Sequence, residues 1–179
     1  MRVHPWFGGL LVLALAFSAC SDKKDGTKTS NPLGPSVSLG GMQATMSGAF
    51  SLNFSTSTAI GWTVNADTAR EMSVWGSMNS GGVLYEITIT VPKTPAAGTY
   101  TLGDAINSPD GFGLVTVTLS ETEADFYFTG TGSIRFDRVG TDLAGSFNFT
   151  AHVYDAETET ILRTVSVTNG AFNVPVMMP

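Results

Sequence analysis

Apolar and polar residues alternate most clearly at residues 145–151, which read Gly145-Ser146-Phe147-Asn148-Phe149-Thr150-Ala151. Successive side chains of a β-strand point to opposite faces of a sheet. This stretch therefore predicts a strand with Phe147 and Phe149 on an apolar face and Asn148 on the other. Similar short runs, broken by Gly, Asn, Asp and Pro, recur from about Met42 onward. We therefore predict an all-β fold.

Three turn signals around this strand predict its neighbours, namely Gly140-Thr141-Asp142-Leu143, residues 155–159, and Asn169-Gly170. Asn-Gly is the strongest signal for a two-residue hairpin turn, so Gly170 is expected to need a positive φ. Together the turns predict a C-terminal meander of four strands, in which two rows of buried side chains cross the sheet. One row is Ile134, Phe149, Val165 and Val174, and the other is Phe136, Phe147, Val167 and Phe172.

Two further hairpins are predicted upstream of the meander. A turn at Gly81-Gly82 would pair Met78 with Tyr85 and place Trp75 beside Thr88 on the opposite face. A loop at residues 121–124 would pair Val117 with Phe128 and Leu119 with Phe126. The strand that follows contains Gly130 and Gly132, and glycine inside a strand commonly marks a bulge.

These elements predict one antiparallel domain over residues 41–179, with about 9–10 strands. Two architectures remain open, a β-sandwich and a curved, barrel-like sheet. Charged residues make up 13% of the chain and the net charge is −6. A negative chain argues against nucleic-acid binding. The single Cys cannot form an internal disulfide or a thiolate metal site, and we expect neither a cofactor nor a metal.

The N-terminal segment has the pattern of an export signal. Arg2 precedes an apolar run from residue 10 to residue 17, and the small residues Ser18 and Ala19 precede Cys20. The apolar run is too short to span a bilayer. The tetrapeptide Phe17-Ser18-Ala19-Cys20 resembles the lipobox of bacterial lipoproteins, in which the Cys becomes the first residue and carries the lipid. The alternative is an ordinary signal peptide. We predict a lipoprotein signal peptide at residues 1–19 and lipidation at Cys20.

Residues 20–40 are polar and contain two prolines, which predicts a flexible tether. Such a tether would have an r.m.s. reach of about 25 Å. Ser21 does not match the Asp that retains enterobacterial lipoproteins at the inner membrane. The resemblance therefore favours the outer membrane, with the side that the domain faces left open.

The C-terminal half resembles a family of short lipoproteins of unknown function that is common in Bacteroidetes. The resemblance covers roughly residues 98–175. Its matching pieces are Gly98-Thr99-Tyr100-Thr101-Leu102, Thr131-Gly132-Ser133-Ile134, residues 145–151, and residues 167–175. It implies a lipid-anchored all-β protein and supplies no catalytic residues.

The candidate sites for chemistry are few. His152 is expected on the polar face of its strand, and no Gly-x-Ser-x-Gly elbow accompanies it. Acidic residues cluster at Asp104 with Asp110, at residues 121–125 and at residues 155–159. Calcium needs six to eight oxygen ligands from a shaped loop, and we interpret these clusters as solvated turns.

Three aromatic residues, Trp75, Tyr127 and Tyr154, are predicted on the face opposite the core. They would either stack on sugar rings or be covered by a second sheet.

We predict a non-enzymatic envelope lipoprotein with a structural or protein-interaction domain. Its partners would be the membrane, through the lipid on Cys20, and an envelope protein. The alternative is a carbohydrate- or small-ligand-binding module at the cell envelope.

Overall fold

The computed structural model describes residues 36–66, 69–92, 95–104, 110–155 and 157–177. The predicted signal peptide, Cys20 and the tether as far as residue 35 lie outside the described residues. Within those ranges the chain forms ten strands and no helix, which confirms the predicted fold class and strand number. The strands are β1 (Gly41–Gly48), β2 (Leu52–Thr56), β3 (Ile60–Ala66), β4 (Ala69–Ser80), β5 (Val83–Pro92), β6 (Gly98–Leu102), β7 (Phe112–Ser120), β8 (Glu123–Val139), β9 (Asp142–Tyr154) and β10 (Ile161–Met177).

Strand pairing closes the sheet on itself. Antiparallel pairings run in the order β3-β4-β5-β7-β8-β9-β10, and β10 returns to β3 through a short parallel pairing of Val176 with Gly61. The β1–β2 hairpin adds to β10, and β6 adds to β8. Of the two architectures left open by the sequence, these pairings favour the curved, barrel-like sheet.

Apolar side chains fill the inside of this ring. All eight residues of the two predicted rows are buried, at 3% exposure or less. The hairpin at Gly81-Gly82 is also confirmed, with Met78 opposite Tyr85 and Trp75 opposite Thr88. The period-two alternation of the sequence thus identified the part of the core that β8, β9 and β10 contribute at these two rows.

The last predicted hairpin is wrong. Asn169 and Gly170 lie inside β10, which continues to Met177, and the C-terminal four-strand meander is β7-β8-β9-β10. The pairing of β10 with β9 shifts by one residue between Val167 and Gly170, so the Asn-Gly pair forms a bulge. Asn169 has a φ of 52°, whereas Gly170 does not have a positive φ. The predicted hairpin would have folded the end of the chain back against Val167. In the structure β1 occupies that position, and Met46 pairs with Val167.

The two other meander turns are correct, but their registers are offset by two residues. Phe147 pairs with Ile134 rather than Phe136, and Val165 pairs with Ala151 rather than Phe149. Each offset has two causes. The observed turn differs in length from the predicted one, and one strand contains an extra residue that has no partner. The extra residue is Asp137 in β8 and Leu162 in β10. An offset of two keeps every side chain on its predicted face, which explains why the core was still correct.

The register of the β7–β8 hairpin differs from the predicted one by three residues. This odd difference exchanges the inner and outer faces of β8. A two-residue turn at residues 121–122 and an irregularity at Leu119 place Val115 opposite Tyr127 and Leu114 opposite Phe128. Tyr127 therefore points into the core, while its neighbours Phe126 and Phe128 point outward. The bulge expected near Gly130 is present between Thr129 and Thr131, and it returns Ile134 to the inner face.

Candidate functional site: an aromatic patch on the outer face

The outer face of the sheet carries a row of side chains that crosses six strands. Register places six residues side by side in this row: Trp75, Thr88, Leu114, Phe128, His152 and Thr164. Phe126 and Tyr154 follow at the next outward positions of β8 and β9, and Ile161 pairs with Tyr154. A strip of aromatic and aliphatic side chains, interspersed with Thr88, His152 and Thr164, therefore lies on the solvent side of a sheet whose inner side is already filled.

The exposed part of this strip is concentrated on β8, β9 and β10. Phe126 is 49% exposed, Phe128 43%, Tyr154 41% and Ile161 54%. We call these four residues the outer aromatic patch. Scattered surface hydrophobics are ordinary, but a contiguous group marks an interaction surface.

Trp75 lies on the same outer face as Tyr154, as predicted, but four strands away. At about 4.8 Å per strand, the two residues are roughly 19 Å apart along the sheet. Trp75 is half-buried, and its Nε1 donates to Oε1 of Glu86 at 3.1 Å. The indole is thus fixed against β5 and does not join Tyr154 in one platform.

Tyr127 does not belong to the outer face, which corrects the sequence prediction. It is 2% exposed, and the ring of Phe50 packs edge-on against it at 5.8 Å. Burial is the main cause of a raised pKa for its hydroxyl, with a further contribution from Asp125 and an opposing one from Arg163. Tyr127 is therefore a core residue.

Arg163 spans this end of the sheet. Its guanidinium donates two hydrogen bonds to the carboxylate of Asp125, at 2.6 and 2.7 Å, and lies 5.8 Å from the ring centroid of Tyr127. A bidentate pair of this kind fixes both side chains in one plane. The hydrogen bonds from Arg163 to Asp125 are the main cause of a raised pKa for the guanidinium.

His152 is held by its neighbours beside Phe128. Its Nδ1 lies 2.9 Å from the hydroxyl oxygen of Thr164, and the ring of Tyr154 packs edge-on at 5.9 Å. Its Nε2 lies over Gly130, where a Cβ would come within 2.6 Å of it. The expected outward position is confirmed, although the ring is half-buried rather than solvated. A hydroxyl partner fixes the imidazole without giving it the carboxylate of a catalytic triad.

The acidic loop between β9 and β10 is organised by Asp155. Its Oδ1 accepts hydrogen bonds from the backbone N–H of Glu157 and from the backbone and hydroxyl of Thr158, at 2.8 to 3.0 Å. These bonds hold the pKa of the carboxyl below its usual value, chiefly through Thr158. Among the described residues, no group of three or more His, Cys, Asp or Glu is arranged to hold a metal ion.

The sequence prediction missed Phe126 and Phe128, because the face of β8 depends on a short turn and one bulge that the pattern does not reveal. No protein family, curated protein or solved structure matches the chain. The described part of the chain also contains no helix that is long and apolar enough to cross a bilayer. The resemblance to Bacteroidetes lipoproteins remains a prediction.

Proposed function

We propose that this chain is a non-enzymatic envelope lipoprotein, anchored to the outer membrane by a lipid on Cys20, whose β domain contacts other proteins. The observation that carries the proposal is the contrast between the two faces of the sheet. The inside is filled by residues such as Phe147 and Val167, while Phe126, Phe128 and Tyr154 are exposed outside. A filled interior leaves the outer face as the binding surface, and an outer face suits a macromolecule better than a small molecule.

The anchor rests on the sequence. A short apolar run, small residues before Cys20 and a polar stretch after it together form the lipoprotein pattern. Because this chain contains a single Cys, the residue has no internal disulfide partner, and lipidation gives it a role in an exported protein.

The anchor is tested by expressing the chain in a bacterial host with and without Cys20→Ala. We expect the unmodified chain to partition into the detergent phase and the variant to remain as an uncleaved precursor or a soluble product. A matched control, Ser21→Ala, keeps the Cys and should partition like the unmodified chain. Equal partitioning of Cys20→Ala and the unmodified chain would contradict the anchor.

A second function, carbohydrate binding, is favoured by one specific observation. Phe126 and Phe128 lie two residues apart on one face of β8, and His152 and Thr164 place polar groups beside Phe128. Aromatic faces stack on the apolar C–H face of a sugar, and adjacent polar groups hold its hydroxyls. A glycan array probed with the full chain tests this alternative, because saturable binding that Phe128→Ser removes would favour it.

A further inference from the structure

The outer aromatic patch has a charged border of one sign. The β7–β8 turn and the β9–β10 loop lie at the same end of the sheet, because β8 and β9 are antiparallel neighbours. Four exposed glutamates lie at this end: Glu121 in the β7–β8 turn, Glu123 at the start of β8, and Glu157 and Glu159 in the β9–β10 loop. Arg163, at the same end of the sheet, lies against the inward-facing Tyr127 and is paired with Asp125. The patch is therefore an apolar surface in a negative field.

We propose that the outer aromatic patch docks a partner protein whose contact segment carries apolar side chains flanked by lysine or arginine. This inference rests on the proposed function and names the class of partner. Phe126, Phe128 and Tyr154 would supply the desolvated centre of the interface, and the glutamates would supply a polar rim. Complementary charge at the rim speeds encounter and selects basic partners over acidic ones.

Charge disfavours two other occupants. A second copy would bring another surface of the same negative charge to the patch, which costs free energy. A bilayer with anionic headgroups would be repelled for the same reason.

The patch also lies far along the sheet from the point where the described chain enters the domain. The described chain enters the domain where Gly41 pairs with Asn173, whereas the patch lies at Ile161, at the other end of β10. Twelve residues of strand correspond to roughly 40 Å along β10. The patch therefore lies at the end of β10 opposite the point where the described chain enters the domain.

The test uses the full chain carrying Cys20→Ser, so that binding is measured independently of lipidation. The probe is a short synthetic peptide in which leucine alternates with lysine, titrated by fluorescence anisotropy at low and high salt. One control peptide replaces lysine by glutamate, and another replaces leucine by serine. We expect the leucine-lysine peptide to bind at least about tenfold more tightly than either control, and to weaken at high salt.

Three variants locate the binding. Phe126→Thr with Phe128→Thr should raise Kd by about tenfold or more, since both rings are exposed and their loss leaves the core intact. The matched control is Leu39→Thr, which removes a side chain of 62% exposure outside the patch and should leave Kd unchanged. Replacing the four glutamates by glutamine should weaken binding and flatten its salt dependence.

Four outcomes would overturn the proposal: equal binding by the aromatic variant, equal binding of the glutamate peptide, binding only to glycans, or self-association that Phe126→Thr removes. Circular dichroism spectra and melting curves of each variant verify that it is folded. If detergent partitioning of the lipid-bearing chain fails while peptide binding succeeds, then the anchor is wrong and the docking surface stands. If partitioning succeeds while peptide binding fails, then the docking surface is wrong and the anchor stands.

Discussion

Gly170 lies directly opposite Phe147 in the β9–β10 pairing, and the ring of Phe147 fills the space that a Cβ on Gly170 would occupy. An added Cβ would lie 2.5 Å from two ring carbons of Phe147. Gly132 likewise pairs with Phe149, and Gly145 pairs with both Phe136 and Phe172. A Cβ on Gly145 would lie 2.9 Å from Cζ of Phe172. Inside a small closed sheet, large and small residues must alternate across strands.

Gly170→Ala should therefore destabilise the domain by about 1–3 kcal/mol, because the methyl group overpacks the core against Phe147. The measurement is the urea midpoint at constant slope. The matched control is Gly140→Ala, at a position where a Cβ meets no atom within 4 Å. Equal midpoints for the two variants would contradict the glycine–phenylalanine packing.

Phe147→Ala should cost about 3–5 kcal/mol, since the side chain is 3% exposed and packs near the rings of Phe149 and Phe172. In that background Gly170→Ala should cost less, because the two ring contacts are gone, although the backbone oxygen of Phe147 would still lie 2.5 Å from the added Cβ. A double-mutant cycle measures this coupling. Additive effects of the two substitutions would show that the residues do not contact each other.

Tyr127→Ala and Phe126→Ala test which face of β8 is buried. The first should cost about 3–5 kcal/mol because it removes a core ring, whereas the second removes an exposed ring and should cost less than about 1 kcal/mol. Chemical denaturation of both variants measures the difference. If Phe126→Ala proved more destabilising than Tyr127→Ala, the result would favour the predicted β7–β8 register over the observed one.

The sequence located the fold class and four of the five turns predicted from it, because period two and turn chemistry are local properties. The registers within the meander were beyond it, because each depends on one extra residue, such as Leu162, that opposes no partner. The glycines opposite Phe136, Phe147 and Phe149 were a usable signal that was missed. If each phenylalanine must lie opposite a glycine, the observed register is preferred. The predicted register instead places Phe136 opposite Phe147.

The candidate site was less predictable than the core. Trp75 and Tyr154 were assigned to the correct face, but Tyr127 was not, because an odd offset in the β7–β8 register exchanges the two faces of β8. Asn169-Gly170 shows the same difficulty in another form. Asn169 does adopt the positive φ that its local preference predicts. Because β10 pairs with both β9 and β1 here, the Asn-Gly pair forms a bulge and not a hairpin turn.

The stability contributed by Asp155 should depend on pH in a definite direction. Its carboxyl has a lowered pKa in the folded chain, so its contribution is full above the unfolded-state value and is lost as pH falls through the folded-state value. The difference in stability between the unmodified chain and Asp155→Ala should thus shrink below about pH 4. Denaturation midpoints at pH 7 and pH 3 measure it.

Thr158→Val is the companion variant for this prediction, since it removes the hydroxyl that bonds to Asp155. It should reduce the pH-dependent part of the difference without abolishing it, because the backbone bonds remain. A difference between the unmodified chain and Asp155→Ala that is the same at both pH values would show that the carboxylate does not organise this loop.

The central claim, that the chain is a lipoprotein, is tested most directly by the intact mass of the protein purified from bacterial membranes. We expect the mass of residues 20–179 plus a diacylglyceryl group and, where the host adds it, an N-linked acyl chain. Tandem fragmentation should place the whole added mass on Cys20. A mature chain that begins elsewhere, or that begins at Cys20 with an unmodified thiol, would contradict the account.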